Sequence, residues 1–199
     1  MRVLVVGASG IIGRAIVAEL GQRHEVITAG RSSGELKMDI TDGASIRKMF
    51  EEAGLVDALV SATGTVKFAP FEDMEVEDYE IGLQDKLMGQ VNLVLIGRDY
   101  LSDGGSFTLT TGVLDREPIR EGTSASMVNG AINAFVAAAA IEMTRGQRIN
   151  VVSPGVIEEA MDAYAPYFRG FDPVPAARAA LAYAKSVEGL QTGRVYPVD

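Results

Sequence analysis

The stretch Val3-Leu4-Val5-Val6-Gly7-Ala8-Ser9-Gly10-Ile11-Ile12-Gly13-Arg14 decides the fold. A β-branched run ends on a glycine, two more glycines follow at three-residue intervals, and an apolar helical pattern (Ile12, Ile16, Leu20) begins at once. This context reads as a buried strand turning into a helix. Gly7 permits the tight turn. Gly10 has no side chain, so a pyrophosphate can approach the backbone. Gly13 lets helix and strand pack closely. Unpaired N–H groups at the start of such a helix, with its positive dipole end, favour phosphate. Gly7, Ser9, Gly10, Ile12 and Gly13 are therefore the first candidate cofactor residues. The bland alternative is a turn that merely needs small residues.

Outward from this loop, short apolar runs alternate with helical patterns. Strands are expected at 2–6, 25–28, 36–40, 56–61, 106–111, 148–152 and, at an edge, 194–197. Helices are expected at 11–20, 44–53 (capped by Thr41 or Asp42), 76–101 (one or two helices), 124–144 (capped by Ser124 or Ser126) and 174–186. Strands separated by helices imply βαβ units and a parallel sheet with helices on both faces. The fold class is α/β, a Rossmann-type doubly wound sheet, in one domain spanning 1–199.

Composition excludes several functions. Lys and Arg number 18 against 27 Asp and Glu, a net charge of −9 that disfavours a nucleic-acid partner. With no cysteine there are no disulfides, thiolate nucleophiles or Cys-ligated zinc. The single histidine, His24, leaves no His cluster and is read as structural. No uninterrupted apolar run approaches the ~20 residues of a membrane helix, so a cytoplasmic protein without a membrane partner is expected.

The end of the second strand bears on cofactor choice. An acid there binds the ribose 2′-hydroxyl of NAD, whereas Thr28-Ala29-Gly30-Arg31-Ser32-Ser33 offers an arginine instead. Arg31 can fork onto a 2′-phosphate with Ser32 or Ser33 donating beside it, which puts NADP ahead of NAD. As a solvated turn residue, Arg31 would do neither.

These residues make the chain resemble the short-chain dehydrogenase/reductase family over essentially its whole length. The loop's GxxGxxG spacing is similar to that of extended and atypical branches. Met38-Asp39-Ile40-Thr41 resembles the family's adenine-holding segment, Ser61-Ala62-Thr63-Gly64 its Asn-Asn-Ala-Gly motif, and Ile149-Asn150-Val151-Val152-Ser153-Pro154-Gly155 its Ile-Asn-x-Val-x-Pro-Gly strand. The resemblance implies cofactor contacts at Asp39, Ile40, Ala62, Thr63, Gly64, Pro154, Gly155 and Val156. It also implies hydride transfer between a nicotinamide and a small-molecule carbonyl or alcohol.

The family's Asn, Ser, Tyr and Lys do not carry over. None of the six tyrosines has a lysine four residues on. Aligned with the family, Ala125 takes the Tyr position, Asn129 the Lys position, Thr111 or Gly112 the Ser position, and the Asn position falls near Lys86. A non-standard site of Thr111, Lys86 and Asn129 is one implication; Lys86 would be its proton donor and Thr111 would hold the carbonyl. The other is a non-catalytic NADP-binding sensor or partner-binding module. As bland readings, Lys86 is a surface lysine, Thr111 a strand end and Asn129 a packing group.

Three further expectations complete the reading. The run Asp115-Arg116-Glu117-Pro118-Ile119-Arg120-Glu121 forms a solvated mixed-charge loop or a selectivity lip. Tyr164, Tyr167 and Phe168 form a lid or ordinary packing. Regions 87–101 and 124–144 match the family's paired subunit helices, so a homodimer or homotetramer is expected, anchored by Phe135 or Ile132 on an alanine-rich stripe.

Overall fold

The computed structural model describes residues 1–199. Seven strands form one all-parallel sheet: β1 Arg2–Val6, β2 Glu25–Gly30, β3 Leu36–Lys37, β4 Val56–Ser61, β5 Leu101–Thr110, β6 Arg148–Pro154 and β7 Val195–Val198. Their spatial order is β3-β2-β1-β4-β5-β6-β7. The chain winds outward from β1 in both directions, so the order reverses between β1 and β4. Crevices at the carboxyl ends of strands beside such a reversal are where open α/β sheets bind ligands.

The helices are α1 Ile11–Leu20, α2 Gly43–Ala53, α3 Val76–Ile81, α4 Gly89–Gly97, α5 Thr123–Glu142, α6 Met161–Tyr164 and α7 Ala176–Glu188. Two apolar layers sandwich the sheet. On one face Leu4, Leu59, Phe107 and Ile149 pack with Phe50, Leu93, Ile132 and Val136; on the other Val3, Val5 and Val60 meet Ile16, Leu20, Tyr183 and Val187. This two-faced burial explains the near-continuous apolar strands. In length and hydropathy α5 would suffice to cross a membrane, but its Val128, Ile132 and Val136 stripe is fully buried in the protein.

Several boundaries differ from the sequence expectation. Region 76–101 is helical only to Gly97, with a π-helical segment, Gly82–Met88, between α3 and α4. Leu101 instead opens β5, fully buried and paired with Val56. The third strand stops at Lys37. Asp42 caps α2, accepting from the Ala44 N–H at 2.9 Å. The serine caps of α5 do not form: Gly122 is the N-cap, and the buried hydroxyls of Ser124 and Ser126 have no partner. Ile132 points into the core, so it is not available as a subunit anchor. His24 bonds Glu188 at 3.0 Å and joins α7 to the turn before β2.

Candidate functional site

The glycine loop follows β1 and crosses the carboxyl ends of the neighbouring strands. Gly7 has φ +82°, and a Cβ there would lie 2.5 Å from the Ala62 carbonyl oxygen, so both conformation and space require glycine. A Cβ at Gly13 would sit 2.1 Å from the Gly7 carbonyl oxygen, which accounts for the close strand–helix packing. Gly10 is different. Its backbone is extended (φ −69°, ψ 170°), and a Cβ would meet only the Gly7 oxygen at 3.4 Å. Gly10 is also the N-cap of α1 and supplies no side-chain cap. The first N–H groups of α1 thus face a cradle that one side chain would fill. That arrangement suits an anionic pyrophosphate.

The loop forms one wall of a cleft of about 490 Å³. Gly7, Ser9, Gly10, Ile12, Arg31, Ser32, Ile40, Ala62, Thr63 and Gly64 all line it, as do Lys86 and Thr111. Gly13 and Asp39 do not: Gly13 packs behind the loop, and Asp39 Oδ1 accepts from the Thr41 N–H and hydroxyl at 2.9 and 2.7 Å. Those two bonds, with Arg31 contributing less, hold the Asp39 carboxyl below its usual range. Met38 lines the cleft beside Ile40 and offers an apolar surface for a flat ring.

Arg31 reaches the carboxylates of Asp39 and Asp85, each at 3.4 Å. Both contacts are long and the Arg31 side chain is itself 63% exposed, so the guanidinium can exchange them for a ligand anion. Lys37 holds the adjacent loop, donating to the Ser32 carbonyl at 2.9 Å. The cation next to the serine loop went unremarked in the sequence, because only the folded loop brings it there.

A second cleft, about 260 Å³, opens beside the first. Pro154, Gly155 and Val156 line it, with Asn129, Ala125, Val66, Phe68, Leu114, Tyr164 and Phe168. Tyr164 and Tyr167 pack against Phe68 with ring centroids 6.0 and 5.8 Å apart, and Phe168 stacks edge-on against Tyr164 and Phe171. The aromatic residues therefore form a wall, and Tyr164 and Phe168 face the cleft. Ile12, Gly64, Lys86 and Thr111 belong to both clefts.

Lys86 occupies that junction from the π-helical segment. Its Nζ donates to the Thr111 carbonyl at 3.3 Å. Gly64, at φ +139°, lies so close that a Cβ there would be 2.5 Å from Lys86 Cγ. Desolvation lowers the Lys86 ammonium to about 8, opposed by the charge of Asp115. The reading of Lys86 as a surface lysine is thus corrected.

Buried Gln90 ties the segment to the sheet. Its Nε2 donates to the Thr110 carbonyl at 2.9 Å and the Lys86 carbonyl at 3.1 Å, and its Oε1 accepts from the Thr110 N–H at 2.9 Å. The Thr110 hydroxyl is engaged by the Ser61 carbonyl and the Tyr183 hydroxyl, so it is not free for a ligand. The Thr111 hydroxyl makes only a long 3.4 Å bond to the Val152 carbonyl. Asn129 Nδ2 donates to the Gly112 carbonyl at 3.2 Å.

Arg116, Glu117, Pro118 and Arg120 are exposed, as expected of a solvated loop, but Asp115 is not. Its side chain is 4% exposed and accepts from Asn133, Arg116 and Ser153. Arg116 continues to Ser153 at 2.6 Å and Asp199 at 2.7 Å. The network fixes the loop after β5 against the end of β6. Asp85 and Gln90 were missed, because the partners that fix them, Thr65 and Thr110, lie 20 residues away in sequence.

Comparison with known proteins agrees with this architecture. Residues 8–192 match the family model described as Enoyl-(Acyl carrier protein) reductase. Tetrahydroxynaphthalene reductase from Pyricularia oryzae is 27% identical, over 98% of this chain and 87% of that protein. The crystal structure of the protein lin1944 from Listeria innocua is 53% identical and superposes with a TM-score of 0.99, covering all of both chains. A small-chain dehydrogenase crystallised in complex with NADPH is 27% identical with a TM-score of 0.89, covering all of this chain and 96% of the other. With a family match across nearly its full length, on a parallel sheet wound in this order, the chain belongs to the short-chain dehydrogenase/reductase family of oxidoreductases.

Proposed function

We propose that this protein is an NADP-dependent oxidoreductase that interconverts a small carbonyl compound and its alcohol, using Lys86, Thr111 and Asn129 in place of the family's tetrad. The observation that carries the reading is the junction: the glycine-loop cleft and the apolar cleft share Lys86 and Thr111. The whole chain acts as one nucleotide-binding unit.

The N-terminus of α1 and the glycine loop would hold the pyrophosphate. Met38 and Ile40 would offer an apolar surface to the adenine, with Asp39 behind them, and Arg31 with Ser32 would take the 2′-phosphate. Ala62, Thr63 and Gly64, with Pro154, Gly155 and Val156 in the neighbouring cleft, would receive the nicotinamide end. A small-chain dehydrogenase that binds NADPH shares this fold at 27% identity, which supports the cofactor choice. When bound, the nicotinamide donates or accepts the hydride.

Lys86 handles the proton. In reduction its ammonium protonates the substrate oxygen as hydride reaches the carbonyl carbon, and solvent restores the ammonium. In oxidation the neutral amine accepts the hydroxyl proton. A group tuned to about 8 is suited to both directions near neutral pH. Thr111 positions Nζ through its carbonyl, and Asn129 holds the next carbonyl, that of Gly112.

Ala125 at the usual tyrosine position favours the rival reading, a sensor that binds NADP without turnover. Single-turnover oxidation of bound NADPH, followed at 340 nm against a panel of ring-bearing ketones and aldehydes, distinguishes the two. An enzyme oxidises NADPH with at least one of them; a sensor binds the cofactor and leaves it reduced.

A further inference from the structure

Lys86 differs from the other lysines in where its amine lies. Lys37, Lys48, Lys67 and Lys185 are exposed. Lys86 lines both clefts and keeps part of its surface accessible. Gly64 crowds the Lys86 stem at Cα, Cβ and Cγ. At the other end, Nζ donates one hydrogen bond, at 3.3 Å to the Thr111 carbonyl.

The nearby carboxylates are engaged with other groups. Asp85 accepts from the Thr65 N–H at 2.7 Å and pairs with Arg31, and Asp115 accepts from Asn133, Arg116 and Ser153. Neither forms an ion pair with Lys86, and no Asp or Glu lines the apolar cleft. An ammonium so placed loses the water that stabilises it, in keeping with its lowering to about 8. A lysine desolvated in an apolar pocket is a nucleophile toward carbonyl carbon. Val66, Phe68, Leu114 and Phe168 are among the cleft's apolar walls. Its volume of about 260 Å³ is below the roughly 300–1,000 Å³ of pockets for drug-sized ligands, so it suits one ring rather than several.

We propose that Lys86 is a covalent capture site for uncharged single-ring aldehydes, which enter by the apolar cleft and condense with Nζ. The amine lone pair attacks the carbonyl carbon, and a proton passes from nitrogen to the carbonyl oxygen. The carbinolamine then loses its hydroxyl and the remaining nitrogen proton as water, which leaves a C=N bond between the aldehyde carbon and Nζ. Nothing is oxidised or reduced, and water reverses the reaction. Capture needs no bound nicotinamide and no turnover, so it goes beyond the oxidoreductase reading and applies equally to a sensor.

The test is reductive trapping on the full chain. The protein is incubated with benzaldehyde at neutral pH and treated with sodium borohydride, which converts an imine into a stable benzylamine. Intact mass and peptide mapping should find one benzyl group per chain, on Lys86, at a level at least about tenfold above each exposed lysine. Glycolaldehyde, small and polar, should label Lys86 no more than the others. Lys86→Met should lose the adduct. Should that variant not fold, Lys86→Arg keeps the positive charge and forms no imine. Absence of an adduct, benzyl groups spread evenly over the five lysines, or a level unchanged in a folded variant overturns the inference. Equal labelling of Lys86 by the two aldehydes overturns the ligand class. None of these results touches the proton role of Lys86, which needs no covalent bond and is read from turnover.

Discussion

Lys86 Nζ lies 3.3 Å from the main-chain oxygen of Thr111, which joins the π-helical segment to the end of β5 at the point where the two clefts meet. Gly64 presses on the same side chain from the loop after β4, and Gln90 bonds the Lys86 carbonyl from α4. Three elements thus fix one amine.

Gln90→Leu removes three buried hydrogen bonds around Thr110 and Lys86 while nearly conserving shape. The Thr110 N–H and carbonyl are left short of partners, at on the order of 1–3 kcal/mol per unsatisfied group. The melting temperature should fall by several degrees, and the pH dependence of turnover should shift because Lys86 is no longer held. A melting curve that does not move would show that Gln90 does not clamp the segment.

Gly10→Val should fold normally, since the extended backbone of Gly10 suits an L-residue and its Cβ meets one atom, at 3.4 Å. Its branched side chain occupies the pyrophosphate cradle, so NADPH should no longer quench or enhance fluorescence on addition. A folded variant that binds NADPH like the parent places the cofactor elsewhere.

Arg31→Ala should erase most of any preference for NADPH over NADH. A charge-assisted bond to the 2′-phosphate contributes ~1.5–3 kcal/mol, about ten- to a hundredfold in affinity. Asp39 and Asp85 already attract this guanidinium, so Asp85→Asn should increase the preference by freeing it. Equal affinities of the unmutated protein for NADPH and NADH would remove the argument.

Along α4 and α5, exposed Leu95 and half-buried Phe135 flank a groove of about 450 Å³, and Ile141 is exposed near the end of α5. Pairing these helices about a two-fold axis would cover them. Light scattering should report a dimer or tetramer, and Phe135→Glu should yield folded monomer. An unmutated monomer at micromolar concentration contradicts this.

The fold was legible because apolar runs and helical spacing alternate without interruption, and because the glycine loop sits between them. Leu101 shows where that reasoning stops. Its apolar side chain continues a helical pattern, yet the chain has already turned at 98–100 and Leu101 pairs with Val56. The candidate site was legible only in its loop motifs. Asp115 sits among charged neighbours and reads as solvated, but Asn133 and Ser153 reach it from α5 and β6. Ser124 precedes an apolar run and reads as a cap, but the helix starts a residue earlier and carries it inward. Such assignments depend on partners that only the assembled sheet supplies.

The proton role of Lys86 is tested most directly by the pH dependence of single-turnover NADPH oxidation with a reactive carbonyl compound. Desolvation lowers the ammonium to about 8, so the acid is present below that pH and lost above it. The rate of reduction should be level at lower pH and fall tenfold per unit above about 8, while alcohol oxidation should rise tenfold per unit up to about 8 and be level above it. Lys86→Met should lower both by ~10²–10⁴-fold and abolish the break. A reduction rate that passes through pH 8 unchanged, or a Lys86→Met variant with the parent's rate and profile, would contradict the account.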